Sequence, residues 1–268
     1  MNKSDANGKP EIAVFSNLEE LSRAAAKKFV ELAQANINPG YSFRVALSGG
    51  STPKKLYDLL ASEREPFRRA VDWNKVNFFW GDERCVAPDP DESNFRMANE
   101  HLLEPLGISP GNIHRLNGEI EPNAAAADYE RFLRLFFNAP PSCFPRFDLI
   151  LLGMGADGHT ASLFPRTEVL SEREKLVAAP FVEKFGTHRL TLTPPVINRA
   201  ANVIFQVAGA DKADALRAVL EGDEQADKFP AQIVKPFDGK VFWFLDEAAA
   251  EKLTLTRKYE NFTGRLRR

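Results

Sequence analysis

The stretch Phe147 to Pro165, FDLILLGMGADGHTASLFP, decides how the chain is read, because its physical character changes twice within it. Phe147 to Leu152 is short and almost entirely apolar, as suits a strand buried on both faces of a parallel sheet. It gives way to Gly153, Gly155 and Gly158, which let the backbone turn tightly, with Asp157 and His159 carried on that turn. Ionisable side chains therefore fall at a strand's carboxyl end, the place where open α/β sheets bind ligands. The same three glycines spell G-x-G-x-x-G, the dinucleotide fingerprint, but that pattern has to open a helix and lead to a second strand ending in an acid. Here Pro165 interrupts, and Glu172 and Glu174 precede the next apolar run instead of ending it. The helical half of a dinucleotide site is missing.

Working outward, two upstream segments repeat the theme of a strand followed by a polar turn. Phe43 to Leu47 is a β-type run followed by Ser48-Gly49-Gly50-Ser51-Thr52-Pro53 and the apolar-periodic KKLYDLLA. Pro53 suits the first position of a helix, with Thr52 or Ser51 available as its cap. The amides of such a loop, its hydroxyls and the helix dipole together favour a phosphate. The Walker pattern G-x-x-x-x-G-K-[ST] is absent, so one phosphoryl group is expected there and no nucleotide with Mg²⁺. Val76 to Trp80 is a further strand-like run, ending in Gly81-Asp82-Glu83-Arg84.

Downstream, Leu176 to Val182 and Arg189 to Thr193 read as strands, Pro194-Pro195 as the start of a short helix, and Asn202 to Val207 as another buried run. The last of these leads through Gly209 and Lys212 into a helix over Ala213 to Leu220. A lysine in a helix's first turn opposes the macrodipole at a cost of roughly 0.3–1 kcal/mol, which an anion beside it would offset. Val241 to Leu245 is expected to be the last strand. Near the start, Ile12 to Phe15 reads as a strand and Leu18 to Ala35 as an amphipathic helix capped by Asn17. Ser93 is placed to cap a helix reaching about Leu103, and Asn123 to Phe137 reads as another. The division expected is a loose polar segment over residues 1–10, one α/β domain over 11–246, and a C-terminal extension over 247–268 whose basic tail RKYENFTGRLRR reads as a solvated end.

Composition sets the limits. The 268 residues suffice for one α/β domain with a large core; 44% are hydrophobic and 27% charged, and the formal net charge is -2. That charge gives no general attraction to nucleic acid or to an anionic membrane, so any anion has to be held locally. Cys85 and Cys143 lie far apart and imply neither a disulfide framework nor a metal site. MNKSDANGKPE lacks the apolar segment of a secretory signal and no later run approaches the ~20 residues of a membrane span, so the cytoplasm is the expectation. No coiled-coil pattern is present, and a monomer is the default.

If the four strands share one parallel sheet, its carboxyl edge carries the anion loop, the acid pair with Arg84, the Asp157/His159 turn and Lys212. Such a set suits a phosphorylated substrate and one proton transfer: an unperturbed imidazole titrates at about 6.5, so neutral His159 can deprotonate water near pH 7. Either Asp157 or Asp82 can orient it.

LSGGSTP, WGDER with the following SN, LLGMGADGHTASLFP, and RLTLTPPVIN with GADKADAL, in that order, resemble the 6-phosphogluconolactonases over nearly all of residues 11–246. The resemblance implies a three-layer α/β/α sandwich with a mainly parallel, Rossmann-like sheet, shared with the glucosamine-6-phosphate deaminases. It implies no metal and no organic cofactor, and hydrolysis of 6-phospho-D-glucono-1,5-lactone to 6-phosphogluconate in the oxidative pentose phosphate pathway. Carried over, it makes His159 the base that activates water, held by Asp157. It gives Arg84 a role at the reacting end or at the phosphate, and sets the phosphate on Gly49, Gly50, Ser51 and Thr52 with Arg189 and Lys212. A lactone is an activated ester, for which general base catalysis worth ~10²–10⁴-fold with orientation is adequate.

Three other readings fit less well. No G-x-S-x-G elbow surrounds Ser162, so a serine nucleophile is not expected. The deaminase-like pattern has a glutamate next to the proline of its counterpart to G-H-x-x-x-x-x-P, and a tyrosine after its acid pair; here those positions are Phe164 and Arg84. A phenyl ring cannot shuttle the proton that ring opening requires. A sugar-phosphate-binding module without catalysis would keep Gly49 to Thr52 and Lys212 but has no need of both His159 and Asp157.

Overall fold

The apolar runs assemble into one parallel sheet. The structure, a computed structural model, describes residues 10–254. Its strands are β1 (Glu11–Phe15), β2 (Phe43–Leu47), β3 (Val76–Trp80), β4 (Asp82–Arg84), β5 (Leu149–Leu152), β6 (Val177–Ala178), β7 (Phe181–Val182), β8 (Thr187–Leu192), β9 (Asn202–Val207) and β10 (Lys240–Asp246). Its α-helices are α1 (Leu18–Asn36), α2 (Ser51–Ala61), α3 (Asn94–Ala98), α4 (Glu104–Leu106), α5 (Pro122–Phe136), α6 (Pro194–Ile197), α7 (Ala213–Glu221) and α8 (Glu247–Ala250). Six strands form the central sheet in the order β1-β10-β9-β5-β2-β3, every pair parallel.

Alternation along the strands assigns the two helical layers, since successive side chains point to opposite faces. Phe43 meets Phe29 of α1 edge-on at 5.5 Å, and Lys28 of α1 lies over Phe242, so α1 covers that face. On the other face Phe79 of β3 packs against Phe132 and Phe136 of α5. Trp243 stacks flat on Phe205 at 3.8 Å and borders a depression shared with Val219 and Leu220 of α7. The result is a three-layer α/β/α sandwich around a mainly parallel sheet, as the sequence predicts.

β2, β3 and β9 have the bounds expected of them, and Asn17 caps α1 by accepting from the Glu20 amide at 3.0 Å. Other expectations need correction. Leu176 to Val182 is not one strand: Pro180 separates β6 from β7, and both pair antiparallel with β8. α2 begins at Ser51, so Pro53 is its third residue, and the cap is Gly50 with φ 103° and no side-chain bond. The helix after Ser93 widens into a π turn over Asn99–Leu103 before continuing as α4. Asp246 caps α8, whose Ala249 and Ala250 are buried with Leu253. The tail RKYENFTGRLRR and residues 1–9 lie outside the described residues. No helix among the described residues is long and apolar enough to cross a membrane.

Candidate active site

The carboxyl ends of β9, β5, β2 and β3, four neighbours in the sheet, open onto a cleft of about 420 Å³. Gly49, Gly50, Ser51, Thr52, Asp82, Arg84, His159, Arg189 and Lys212 all line it. Of the acids singled out from sequence, Glu83 and Asp157 do not border it, and Asp157 stands behind the imidazole.

At the β5 end the backbone builds a cradle for one side-chain pair. The Gly155 amide donates to the His159 carbonyl at 2.9 Å, the Gly158 amide to the Gly155 carbonyl at 2.9 Å, and Thr160 Oγ1 to the Gly153 carbonyl at 2.8 Å. Within this closed turn His159 Nδ1 is hydrogen-bonded to Asp157 Oδ1. Gly155 is required by contact: a Cβ there would lie 2.2 Å from His159 Nδ1 and 2.7 Å from Asp157 Oδ1. Burial pushes the Asp157 carboxyl up, but the hydrogen bond and charge of His159, with the Lys184 ammonium 3.0 Å from Oδ2, outweigh it and hold it well below the usual carboxylate range. An ionised Asp157 accepts the Nδ1 proton, which leaves Nε2 as the basic nitrogen. The ring of Phe164 stacks on the imidazole at 4.2 Å between centroids.

The acid pair of WGDER divides its work. Glu83, 3% exposed, accepts the amides of Asn94 and Phe95 at 2.7 Å each, so it ties down the first turn of α3. Burial raises its carboxyl pKa against those hydrogen bonds. Asp82 accepts from Ser162 Oγ at 2.7 Å, and Asn94 Nδ2 donates to the Asp82 carbonyl at 2.9 Å. Asp157, then, is the carboxylate on the imidazole, and Asp82 fastens two neighbours of the cleft. Ser162, 2% exposed, commits its hydroxyl to the Asp82 carboxylate, and among the described residues no histidine is hydrogen-bonded to it as the base a serine nucleophile uses.

At the β2 end, Gly49 lies so close to Asn94 that a Cβ would sit 1.7 Å from Asn94 Oδ1. The amides of this loop open α2, an arrangement that favours an anion. Three cations surround it. Lys212 ends the 3₁₀ turn Ala210–Lys212 and is the cap residue immediately before α7, one residue ahead of the helix proper, and it is paired with Asp211. Arg84 and Arg189 are direct partners in the antiparallel β4–β8 register. Burial, and then the like charge of Arg84, lowers the Arg189 pKa. Like charges set directly opposite destabilise a strand pair unless an anion lies between them.

Sequence reasoning missed Lys184, the stacking role of Phe164, and β4 itself. Lys184 has no local signal, because only the fold brings its turn beside Asp157. Phe164 was legible as an apolar residue where a related pattern carries an acid, but its contact with the imidazole was not.

A parallel α/β sheet whose carboxyl edge joins a glycine loop at a helix start to an oriented histidine has the form of a small-molecule enzyme of the α/β class. The chain belongs to the family of glucosamine-6-phosphate isomerases/6-phosphogluconolactonases, whose model matches residues 16–243. It is 44% identical to a 6-phosphogluconolactonase of Nostoc sp. over 80% of this chain and 85% of that one. It is 38% identical to a probable 6-phosphogluconolactonase of Arabidopsis thaliana, covering 91% and 93% of the two chains. The solved structure of a Trypanosoma cruzi 6-phosphogluconolactonase superposes with a TM-score of 0.81 at 33% identity, covering 92% of this chain and 97% of that one. The chain is therefore an enzyme of the lactone-hydrolysing side of this family.

Proposed function

We propose that the cleft hydrolyses 6-phospho-D-glucono-1,5-lactone to 6-phosphogluconate, the lactone step of the oxidative pentose phosphate pathway. His159 Nε2 takes a proton from water as the water oxygen attacks the lactone carbonyl carbon. Asp157, kept ionised, holds Nδ1–H and stabilises the imidazolium that forms. As the tetrahedral intermediate collapses, the C–O bond to the ring oxygen breaks and the imidazolium returns its proton to that oxygen. The phosphate rests on the amides and hydroxyls of Gly49 to Thr52, with Lys212 and Arg189 neutralising it. The direct pairing of Arg84 with Arg189 favours giving Arg84 the same anion over a separate role at the reacting end.

The observation that carries this reading is the cleft's polarity: an oriented imidazole borders the same 420 Å³ space as the glycine loop and three cations. Phe164 argues against the deaminase alternative, since it fills the place beside the proline with a ring stacked on His159 and offers no second proton carrier. Acid release from fresh 6-phosphogluconolactone, followed in a pH-stat, is expected well above the spontaneous rate. No acceleration removes the proposal, and ammonia release from glucosamine 6-phosphate replaces it with the deaminase.

A further inference from the structure

Gln206 is the anomaly of β9. It lies next to the carboxyl end of an otherwise apolar run, is 1% exposed, and lines the cleft, yet neither Oε1 nor Nε2 of its side chain has a hydrogen-bond partner. A buried amide left without partners is destabilising, so a leucine would be the more stable occupant unless something is bound there. Two further buried atoms of the cleft are in the same condition: Ser48 Oγ and Asn94 Oδ1. Ser48 immediately precedes the glycine loop, and Asn94 Oδ1 is the atom lying against Gly49.

Strand register says which end of the cleft Gln206 serves. It is the partner of Phe244, two residues on from Phe242, so it shares the sheet face that α1 and α2 cover. α2 is the helix whose first residues are the glycine loop, and β9 itself runs on into the turn bearing Lys212. Gln206 thus lies on the floor between the two backbone segments already assigned to the anion. Its amide nitrogen has two N–H donors and no internal acceptor, the complement of a phosphate oxygen.

We infer that Gln206 is a specificity-determining residue for the phosphate group: Nε2–H donates to an oxygen of a phosphomonoester seated on Gly49 to Thr52. This contact is neutral and comes from the sheet floor. The inference rests on the reading that a phosphosugar occupies the cleft, and it deepens that reading by assigning a recognition contact outside the glycine loop and the three cations.

The test uses inorganic phosphate as a probe that requires no turnover. Its affinity is measured by calorimetry for the wild-type chain, Gln206→Leu and Gln206→Glu, each checked for an intact thermal transition. Gln206→Leu is expected to bind phosphate about tenfold more weakly, the loss of one hydrogen bond of about 1.4 kcal/mol. Gln206→Glu, nearly the same size, is expected to lose roughly a hundredfold at pH 8, where a carboxylate meets a phosphate dianion. In turnover the loss falls mainly on KM, and the preference for 6-phosphogluconolactone over unphosphorylated gluconolactone drops by the same factor. A merely structural or water-holding glutamine would lower the melting temperature without moving that preference. Phosphate affinities within twofold of wild type in both variants, or equal losses on the two lactones, overturn the inference. Because phosphate binding is read without hydrolysis, wild-type protein that fails to turn over the lactone would count against the proposed reaction and leave this measurement interpretable.

Discussion

Compare the two glycine turns that leave neighbouring strands and border one cleft, residues 48–53 after β2 and residues 153–159 after β5. In the first, Gly50 turns the chain at φ 103° and the backbone enters α2 at once, so the binding groups offered are main-chain amides at a helix start. In the second the backbone bonds to itself, Gly155 to His159 and Gly158 to Gly155, and no helix follows. One turn presents its own backbone, and the other spends its backbone on holding a side chain. Glycine is needed in both for close approach, but toward different things: Gly49 toward Asn94, Gly155 toward the His159–Asp157 pair. On the proposed reaction, an anion trap and an oriented proton carrier are thus separable parts of one rim.

Mutations in the two turns should consequently fail in different kinetic constants. His159→Ala is expected to lower kcat by ~10²–10⁴ while leaving the affinity for 6-phosphogluconate intact, since only the general base is lost. Gly155→Ala should approach the same loss without touching an ionisable group, because its methyl would occupy the position of the imidazole edge. Steady-state kinetics with a separate binding measurement checks both; His159→Ala with wild-type kcat would remove the assigned base. Lys212→Ala belongs to the other turn, and should raise KM by roughly thirtyfold, about 2 kcal/mol, with a smaller effect on kcat. A mutant that lowers kcat and raises KM by the same factor would mean that the two parts are not separable.

Lys184→Ala tests the weaker link between them. Its ammonium supports Asp157 from a side chain 60% exposed, so solvent screens it and only a few-fold fall in kcat is expected. The hydrogen bond and charge of His159 remain and keep the Asp157 carboxyl below its ordinary range, so the effect is read as kcat at neutral pH with wild type alongside.

The contrast between the turns also explains what the sequence could reveal. β2, β3 and β9 were legible because strands buried in a parallel sheet are apolar runs with glycine or polar punctuation, and FRVAL, VNFFW and NVIFQV have that form. β4 was not, because Asp82–Arg84 is polar throughout and becomes a strand only by pairing with β8, a hundred residues away in kind as well as in sequence. Position along the rim could be inferred, since every parallel strand delivers its loop to the same edge. Partners could not: nothing local says that Asp157 holds His159 while Asp82 holds Ser162, or that Lys184 reaches back to Asp157. The exception is Gln206, where one amide inside a hydrophobic run was a signal visible in the sequence itself.

A last measurement separates the histidine of the cleft from one that belongs to the core. His114 sits among the rings of Phe79, Phe132 and Phe136 with Nε2 against Asn77 Oδ1 at 3.0 Å, and burial pushes its pKa down to about 4. Free in the unfolded chain, it titrates at about 6.5. Between these values the unfolded state binds the proton and the folded state does not, so this residue makes stability rise with pH and fall as pH drops from about 6.5 toward 4. Glu83 and Asp148, whose carboxyls burial raises, work in the opposite sense, because their folded forms hold protons more readily than the unfolded chain. The net slope of the wild type therefore mixes signs, and the difference between wild type and His114→Phe isolates the histidine. Denaturant titrations at pH 7 and pH 5 are expected to show a smaller loss of stability on acidification in His114→Phe, with lactone turnover at pH 7 unaltered; equal losses in the two proteins would mean that His114 is protonated in place.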